Sequence, residues 1–220
     1  MGRIQVSDLN LIQERLSVGQ FIAEEHPKTQ VYLHHTAGGG DARSVSRFWN
    51  SNKSKIATAF VVGERGEMVQ CFSSKHWAWH LGVGSEIFKA NKIPFRDLNK
   101  TSIGIELTNW GMLKQVNGKF YNYVNRVVPS SMVTELERPF KGHKFWFKYT
   151  DEQIESTRKL LIYLCETYDI PLDYNESIWD IDLFALKNEK GIYTHNSVRR
   201  DKSDVYPCQR LIEMLKNLCE

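Results

Sequence analysis

No stretch of this chain approaches the roughly 18–20 consecutive apolar residues that a membrane-spanning helix needs, so no membrane span is expected. The opening residues Met1-Gly2-Arg3-Ile4-Gln5-Val6 lack the basic start and apolar core of a secretory signal, which leads us to expect synthesis and first residence in a cytosol. Cysteine is scarce: only Cys71, Cys165, Cys208 and Cys219 occur, none at close metal-binding spacing. A disulfide scaffold is therefore not expected. An excess of one charge is also missing. Lys and Arg number 29 against 26 Asp and Glu, for a net charge of +3. The basic residues are scattered, which gives nucleic-acid binding little support, although a mild positive excess suits an anionic target. Repeats, low-complexity tracts and linkers are absent too. The 220 residues, 41% of them hydrophobic, suit a single elaborated domain rather than two, and a monomer is expected.

What the chain does contain is an alternation of strand and helix patterns. Residues 1–29 are polar with a weak helical period (Leu9, Ile12, Leu16, Phe21, Ile22) and read as an N-terminal helix or arm. Gln30 to Thr36 alternates apolar and polar residues and reads as a buried strand. It runs into Gly38-Gly39-Gly40, then Asp41 as a helix N-cap ahead of Val45, Phe48 and Trp49. Thr58–Gly63 and Glu67–Phe72 flank Glu64-Arg65-Gly66 as a hairpin, and Thr101–Leu107 is apolar enough to be a central strand. Asn117-Gly118 marks another hairpin, inside a segment over 109–148 that looks like an insertion. Thr150-Asp151-Glu152-Gln153 is a capping box for a helix with Ile154, Leu161, Leu164, Cys165 and Tyr168 on one face. Ile178–Leu186 reads as helix, Gly191–His195 as a short strand, and Pro207–Leu218 as a closing helix begun by proline. The class is α/β: a central mixed β-sheet flanked by helices.

Several residues stand out chemically. His34 and His35 are adjacent on a strand and so point to opposite faces, just before a glycine-rich break. His195 ends the last strand pattern. With His34 and a later Asp204 or Cys208 it completes a three-ligand catalytic zinc set with an open position for water; spacing alone does not choose between Asp204 and Cys208. Glu106 is the one acid in an apolar strand, a costly placement unless the carboxylate is paired, solvated or working. Trp77, Trp79 and His80 form an aromatic, polar-tipped cluster suited to stacking on sugars.

Together these pieces resemble the type 2 N-acetylmuramoyl-L-alanine amidases, a family that includes phage lysins, wall-recycling amidases and peptidoglycan recognition proteins. The resemblance runs through Val31-Tyr32-Leu33-His34-His35-Thr36-Ala37-Gly38, Ala59-Phe60-Val61-Val62-Gly63 and Arg65-Gly66-Glu67-Met68-Val69-Gln70. It continues in Ala78-Trp79-His80-Leu81-Gly82, Ser102-Ile103-Gly104-Ile105-Glu106-Leu107, Tyr149-Thr150 with Gln153, and finally His195 with Lys202-Ser203-Asp204. Each motif is weak alone, but their shared order over roughly residues 30–215 is specific. The resemblance implies that His34, His195 and Asp204 hold Zn²⁺, with Glu106 and Lys202 as the catalytic pair. It also implies a central mixed sheet with zinc in a groove on one face.

Two departures from the family pattern bear on chemistry. Where some members place a catalytic tyrosine, this chain has Thr58, which leaves Glu106 as the base. The usual Asp-Pro-Gly after the lysine becomes Asp204-Val205-Tyr206-Pro207-Cys208, which keeps Cys208 as a substitute for Asp204, although the Lys-x-Asp alignment favours Asp204. The resemblance implies hydrolysis of the amide between N-acetylmuramic acid and L-alanine in peptidoglycan or muropeptides. Trp79 and His80 are expected to line the groove, and the 109–148 insertion, which has no firm counterpart in the family motifs, to shape it. A phage-type endolysin, released to the wall through a holin, is the favoured role, ahead of a cytosolic wall-recycling amidase. A non-catalytic peptidoglycan-binding module would be expected to lack a ligand, and a glycosidase would need a second carboxylate opposite Glu106.

Overall fold

A computed structural model describes residues 4–219. In chain order the strands are β1 (Ile12–Gln13), β2 (Gln30–His35), β3 (Phe60–Val62), β4 (Met68–Gln70), β5 (Ser102–Leu107), β6 (Lys114–Val116), β7 (Lys119–Tyr121), β8 (Val127–Val128), β9 (Val133–Phe140), β10 (His143–Phe147) and β11 (Gly191–Thr194). The α-helices are α1 (Ala42–Ser51), α2 (Ser85–Ala90), α3 (Leu98–Thr101), α4 (Asp151–Tyr168), α5 (Leu183–Leu186) and α6 (Gln209–Lys216).

The central sheet has the order β1-β4-β3-β5-β2-β11. Only β3 and β4 pair antiparallel, as the hairpin around Gly66 requires; β3, β5, β2 and β11 run parallel. β2 and β5 lie inside the sheet; near-continuous burial explains the apolar run of β5, and β2 is buried at every position rather than at alternate ones. This is the mixed α/β architecture expected, and it brings the C-terminal ends of β2, β5 and β11 together. Ligand sites of open α/β sheets form at such strand ends.

Helix α1 starts where Asp41 accepts from the Ser44 amide at 2.9 Å. Its buried face is Ala42, Ser46 and Trp49, while Phe48 is 63% exposed. Helix α4 is capped by Thr150, whose Oγ1 accepts from the Gln153 amide at 3.1 Å and donates to the Glu64 carbonyl. The Gln153 side chain does not close the box; its Nε2 instead donates to the Val62 and Thr108 carbonyls, tying the helix to the ends of β3 and β5. Thr150→Ala removes the cap and the tie to Glu64 together. We expect a loss of about 1–2 kcal/mol, read as a fall of a few degrees in the thermal midpoint.

Other expectations are corrected. The N-terminal segment forms no α-helix among the described residues: Val6–Leu9 is a single 3₁₀ turn stopped by left-handed Asn10, and β1 then adds a short parallel edge to β4. Its apolar residues follow these pairings, with Leu9 and Leu16 buried. The helix expected over Ile178–Leu186 is broken into a 3₁₀ turn at Glu176–Trp179 and the short α5, because the Asp182 carboxylate caps the Phe184 amide at 2.7 Å and restarts the helix there. Pro207 precedes α6 rather than opening it, and Cys208 takes the N-cap position. Residues 109–148 fold into a three-stranded sheet (β6-β7-β8) and the β9–β10 hairpin, both separate from the central sheet. The Asn117-Gly118 hairpin is there as read. This segment has its own small core of Leu113, Val128 and Phe147. All four cysteines are free thiols.

Candidate metal and catalytic site

β2 delivers His34 one residue before its end, and the parallel register sets it directly beside Glu106 of β5. On the other flank β11 pairs Thr194 with Leu33, so His195, the first residue past β11, emerges next to His34. A 3₁₀ turn starts at His195, closed by reciprocal Thr194 and Ser197 side-chain bonds. The chain returns through Asp204, whose backbone is held by Asn196: Nδ2 donates to the Asp204 carbonyl at 3.3 Å and the Val205 carbonyl at 2.8 Å.

The three side chains converge. His34 Nδ1 and His195 Nδ1 lie 3.1 Å apart, and Asp204 Oδ2 is 3.1 Å from the first and 2.9 Å from the second. Among the described residues, this is the group whose ligand atoms all lie within 4.8 Å of one another. Cys208 is outside it. Burial pushes the Cys208 thiol up to about 11, which keeps it protonated as it caps α6.

The donor set fits a divalent cation. His195 Nε2 is 2.8 Å from the Leu81 carbonyl, which can only accept, so the imidazole proton sits on Nε2. The Nδ1 lone pair then faces the Asp204 carboxylate oxygen, an arrangement of two acceptors that a cation between them relieves. Burial, reinforced by neighbouring His195, lowers His34 to about 4, and a neutral imidazole is the ligating form. Burial raises the Asp204 carboxyl, but the two imidazoles against it outweigh that and hold it well below the usual carboxylate range, the ionised form a metal ligand needs.

These residues border a cavity of about 580 Å³, also lined by Glu106, Lys202 and Trp79. Glu106 is the one residue of β5 that is not fully buried, because it opens into this cavity. Burial, with the Asp204 charge adding to it and Lys202 opposing it, pushes Glu106 up to about 8. Lys202 therefore lies close enough to favour the carboxylate form. Trp79 is 45% exposed and rests edge-on against Trp77, with ring centroids 5.0 Å apart. It offers a flat apolar face at the cavity rim. His80 is buried and both of its ring nitrogens face protein atoms: Nδ1 is 2.9 Å from His34 Nε2, and Nε2 is 2.9 Å from Ser102 Oγ.

His35 also borders the cavity, with Nδ1 2.9 Å from the Tyr149 hydroxyl and its ring beside Trp146 and Tyr206. Thr58 is buried, and its hydroxyl donates to the Phe60 carbonyl at 2.8 Å. It is spent on structure, which leaves Glu106, paired in register with His34, as the acid beside the ligand group. No residue of the 109–148 segment is among those lining the cavity. That segment acts one step back: the Asn109 amide donates to Thr36 Oγ1 at 3.1 Å and steadies the loop after His35.

Sequence reasoning missed Asn196, Ser102 and the Leu81 carbonyl. Two of the three lie within quoted motifs, but a backbone carbonyl and a strand serine carry no pattern of their own. Gly104 shows how tightly the site face of β5 is packed. A Cβ there would stand 2.7 Å from Thr58 Cγ2 and 3.0 Å from His80 Nδ1. Gly104→Ala is expected to displace both and to destabilise the fold by about 1–3 kcal/mol, measurable by denaturant unfolding.

The pattern of the Amidase_2 family, N-acetylmuramoyl-L-alanine amidase, matches residues 24–207. The chain belongs to this family: it is a peptidoglycan amidase with a His-His-Asp group suited to a metal ion. Among solved structures it is similar to PlyL, with a TM-score of 0.55 and 13% identity over 94% of this chain and 96% of that one. The PlyG catalytic domain gives a TM-score of 0.54 and 13% identity over 95% and 93%. AmiD from E. coli, solved with anhydro-N-acetylmuramic acid-L-Ala-D-gamma-Glu-L-Lys, gives 0.52 and 18% over 88% of this chain and 60% of AmiD. At these identities the likeness is one of fold. No curated protein matches the sequence.

Proposed function

We propose that this chain hydrolyses the amide bond between N-acetylmuramic acid and L-alanine with a zinc ion held by His34, His195 and Asp204, and that it does so as a phage-type endolysin. The observation that carries the chemistry is the meeting of these three ligand atoms within 4.8 Å in a cavity that also holds Glu106 and Lys202. Zinc in such a site supplies Lewis-acid polarisation and makes water a better nucleophile near neutral pH.

The protein's own residues do the rest. The Glu106 carboxylate takes the proton of the attacking water and passes it to the departing alanine nitrogen, so one group serves as base and then acid. Lys202 places a fixed positive charge where the lactyl carbonyl oxygen becomes negative. Trp79 stacks on the sugar at the cavity rim, with the perpendicular ring of Trp77 fixing its plane. A muropeptide of the kind bound by AmiD presents both parts this cavity would read, the muramoyl group and the first residues of the stem.

The endolysin role is supported by the mild positive charge, +3 overall, which favours an anionic wall. Such an enzyme would reach the wall through a holin after cytosolic synthesis. The experiment is digestion of purified sacculi and, in parallel, of soluble anhydro-muropeptides, with and without a chelator, scoring alanine amino termini against reducing ends. Chelator-sensitive alanine termini from intact sacculi are the expected result. Activity on soluble fragments alone would make the chain a recycling amidase, and reducing ends would overturn the amidase chemistry.

A further inference from the structure

His80 and Leu81 are consecutive, and each touches a different imidazole of the site. The His80 ring faces His34 Nε2 at 2.9 Å, while the Leu81 carbonyl faces His195 Nε2 at 2.8 Å. The segment itself is pinned from behind. Asn99 Oδ1 accepts from the His80 amide at 3.0 Å and from the Leu81 amide at 3.1 Å, and the Asn99 side chain donates in turn to Asp97 at 2.9 Å.

The proton positions follow by elimination. His34 must present an Nδ1 lone pair toward His195 and Asp204 if it is to hold a cation with them. Its proton then sits on Nε2, where burial makes an acceptor obligatory. The facing atom is His80 Nδ1, which accepts only if the His80 proton is on Nε2. That proton has its own acceptor 2.9 Å away in Ser102 Oγ. Both senses of the chain Ser102–His80–His34 satisfy every ring nitrogen, but in the reverse sense His34 would carry its proton on the ligating nitrogen and donate it to Asp204, so only this sense leaves His34 Nδ1 open to a cation.

We propose that His80 is a positioning residue for the metal centre: with Ser102 behind it, it holds His34 in the tautomer and rotamer that bind the cation, as the Leu81 carbonyl does for His195. This rests on the zinc reading above and changes the role of His80 from a sugar contact to an outer partner of a ligand. The ring has no nitrogen left for substrate, and its place against Gly104 leaves it little room to turn.

The test is zinc affinity by chelator competition on the full-length protein, with folding checked by circular dichroism in excess chelator. His80→Ala is expected to weaken zinc binding by about 10–100-fold. His80→Asn, whose Oδ1 can stand near the Nδ1 position and accept from His34, should recover most of that loss. Ser102→Ala leaves the buried ring in place and should weaken zinc several-fold while KM for muropeptide stays constant, covering the case in which His80→Ala fails to fold. Zinc affinities of His80→Ala and Ser102→Ala within about twofold of the parent, well short of an outer-partner loss, would overturn the proposal and leave the zinc amidase intact. Equal weakening in His80→Ala and His80→Asn would also overturn it, since filled volume rather than an acceptor would then be at stake. A parent protein that binds no zinc would overturn both readings.

Discussion

Glu106→Gln is expected to abolish turnover and, at the same time, to make the metal-free protein more stable at neutral pH. The first effect follows from losing the group that accepts and returns the proton, a step worth about 10²–10⁴-fold. The second follows from the cost of the carboxyl itself. Burial pushes Glu106 up to about 8 from an ordinary value of 4.5. Below pH 4.5 both folded and unfolded chains hold the proton, so the group makes no difference. As pH rises through the interval to about 8, the unfolded chain releases the proton and the folded chain keeps it, so stability falls; above that it levels off. Glutamine carries no such penalty. In excess chelator the variant should therefore exceed the parent by roughly 2–4 kcal/mol near pH 8 and match it near pH 4.5. Denaturant unfolding at those two pH values reads the difference. A gap that is the same at both would mean that packing, not the carboxyl, sets it. Equal bound zinc in the two proteins would separate the proton-transfer role from ligation.

Removing Asp204 should have the other large effect. Its carboxylate oxygen lies 3.1 Å from His34 Nδ1 and 2.9 Å from His195 Nδ1. Asp204→Ala is expected to lower zinc affinity by more than the 10–100-fold that loss of an outer partner costs, and to take turnover with it. Asp204→Cys is expected to retain zinc, because a thiolate is an equally good ligand for this ion. Cys208→Ser is expected to leave zinc content and turnover unchanged, since that thiol lies outside the ligand group. Elemental analysis of the three purified variants, with release of alanine amino termini as the second readout, checks this. Zinc retained in Asp204→Ala and lost in Cys208→Ser would reverse the assignment.

The difference between these two candidates also shows where local pattern stops informing. Asp204 and Cys208 are both zinc-competent side chains after His195; spacing does not separate them, and the Lys-x-Asp alignment does no more than favour Asp204. The fold separates them. Asn196 holds the Asp204 backbone so that its carboxylate turns into the cavity, while Cys208 is drawn off to begin α6. The same holds for His80. In sequence it is one member of an aromatic cluster, and only the packing of its segment against Asn99, Ser102 and Gly104 turns the ring toward His34.

What the sequence by itself determined is everything set by neighbours a few residues apart. The buried strand at Gln30–His35, the turn at Asn117-Gly118, the caps Asp41 and Thr150 and the apolar run of β5 are local energetic choices, and all are present in the structure. The motif order was legible as well, and with it the family. Where local preference was weak, as before β1 and around Asp180–Asp182, a helical period was misleading because tertiary pairing and an aspartate cap decided the backbone. The site itself is tertiary. His34 and His195 are 161 residues apart in the chain and meet because β11 pairs in parallel with β2. Burial of the strands fixes that register, and no spacing in the sequence encodes the distance between two nitrogens across it.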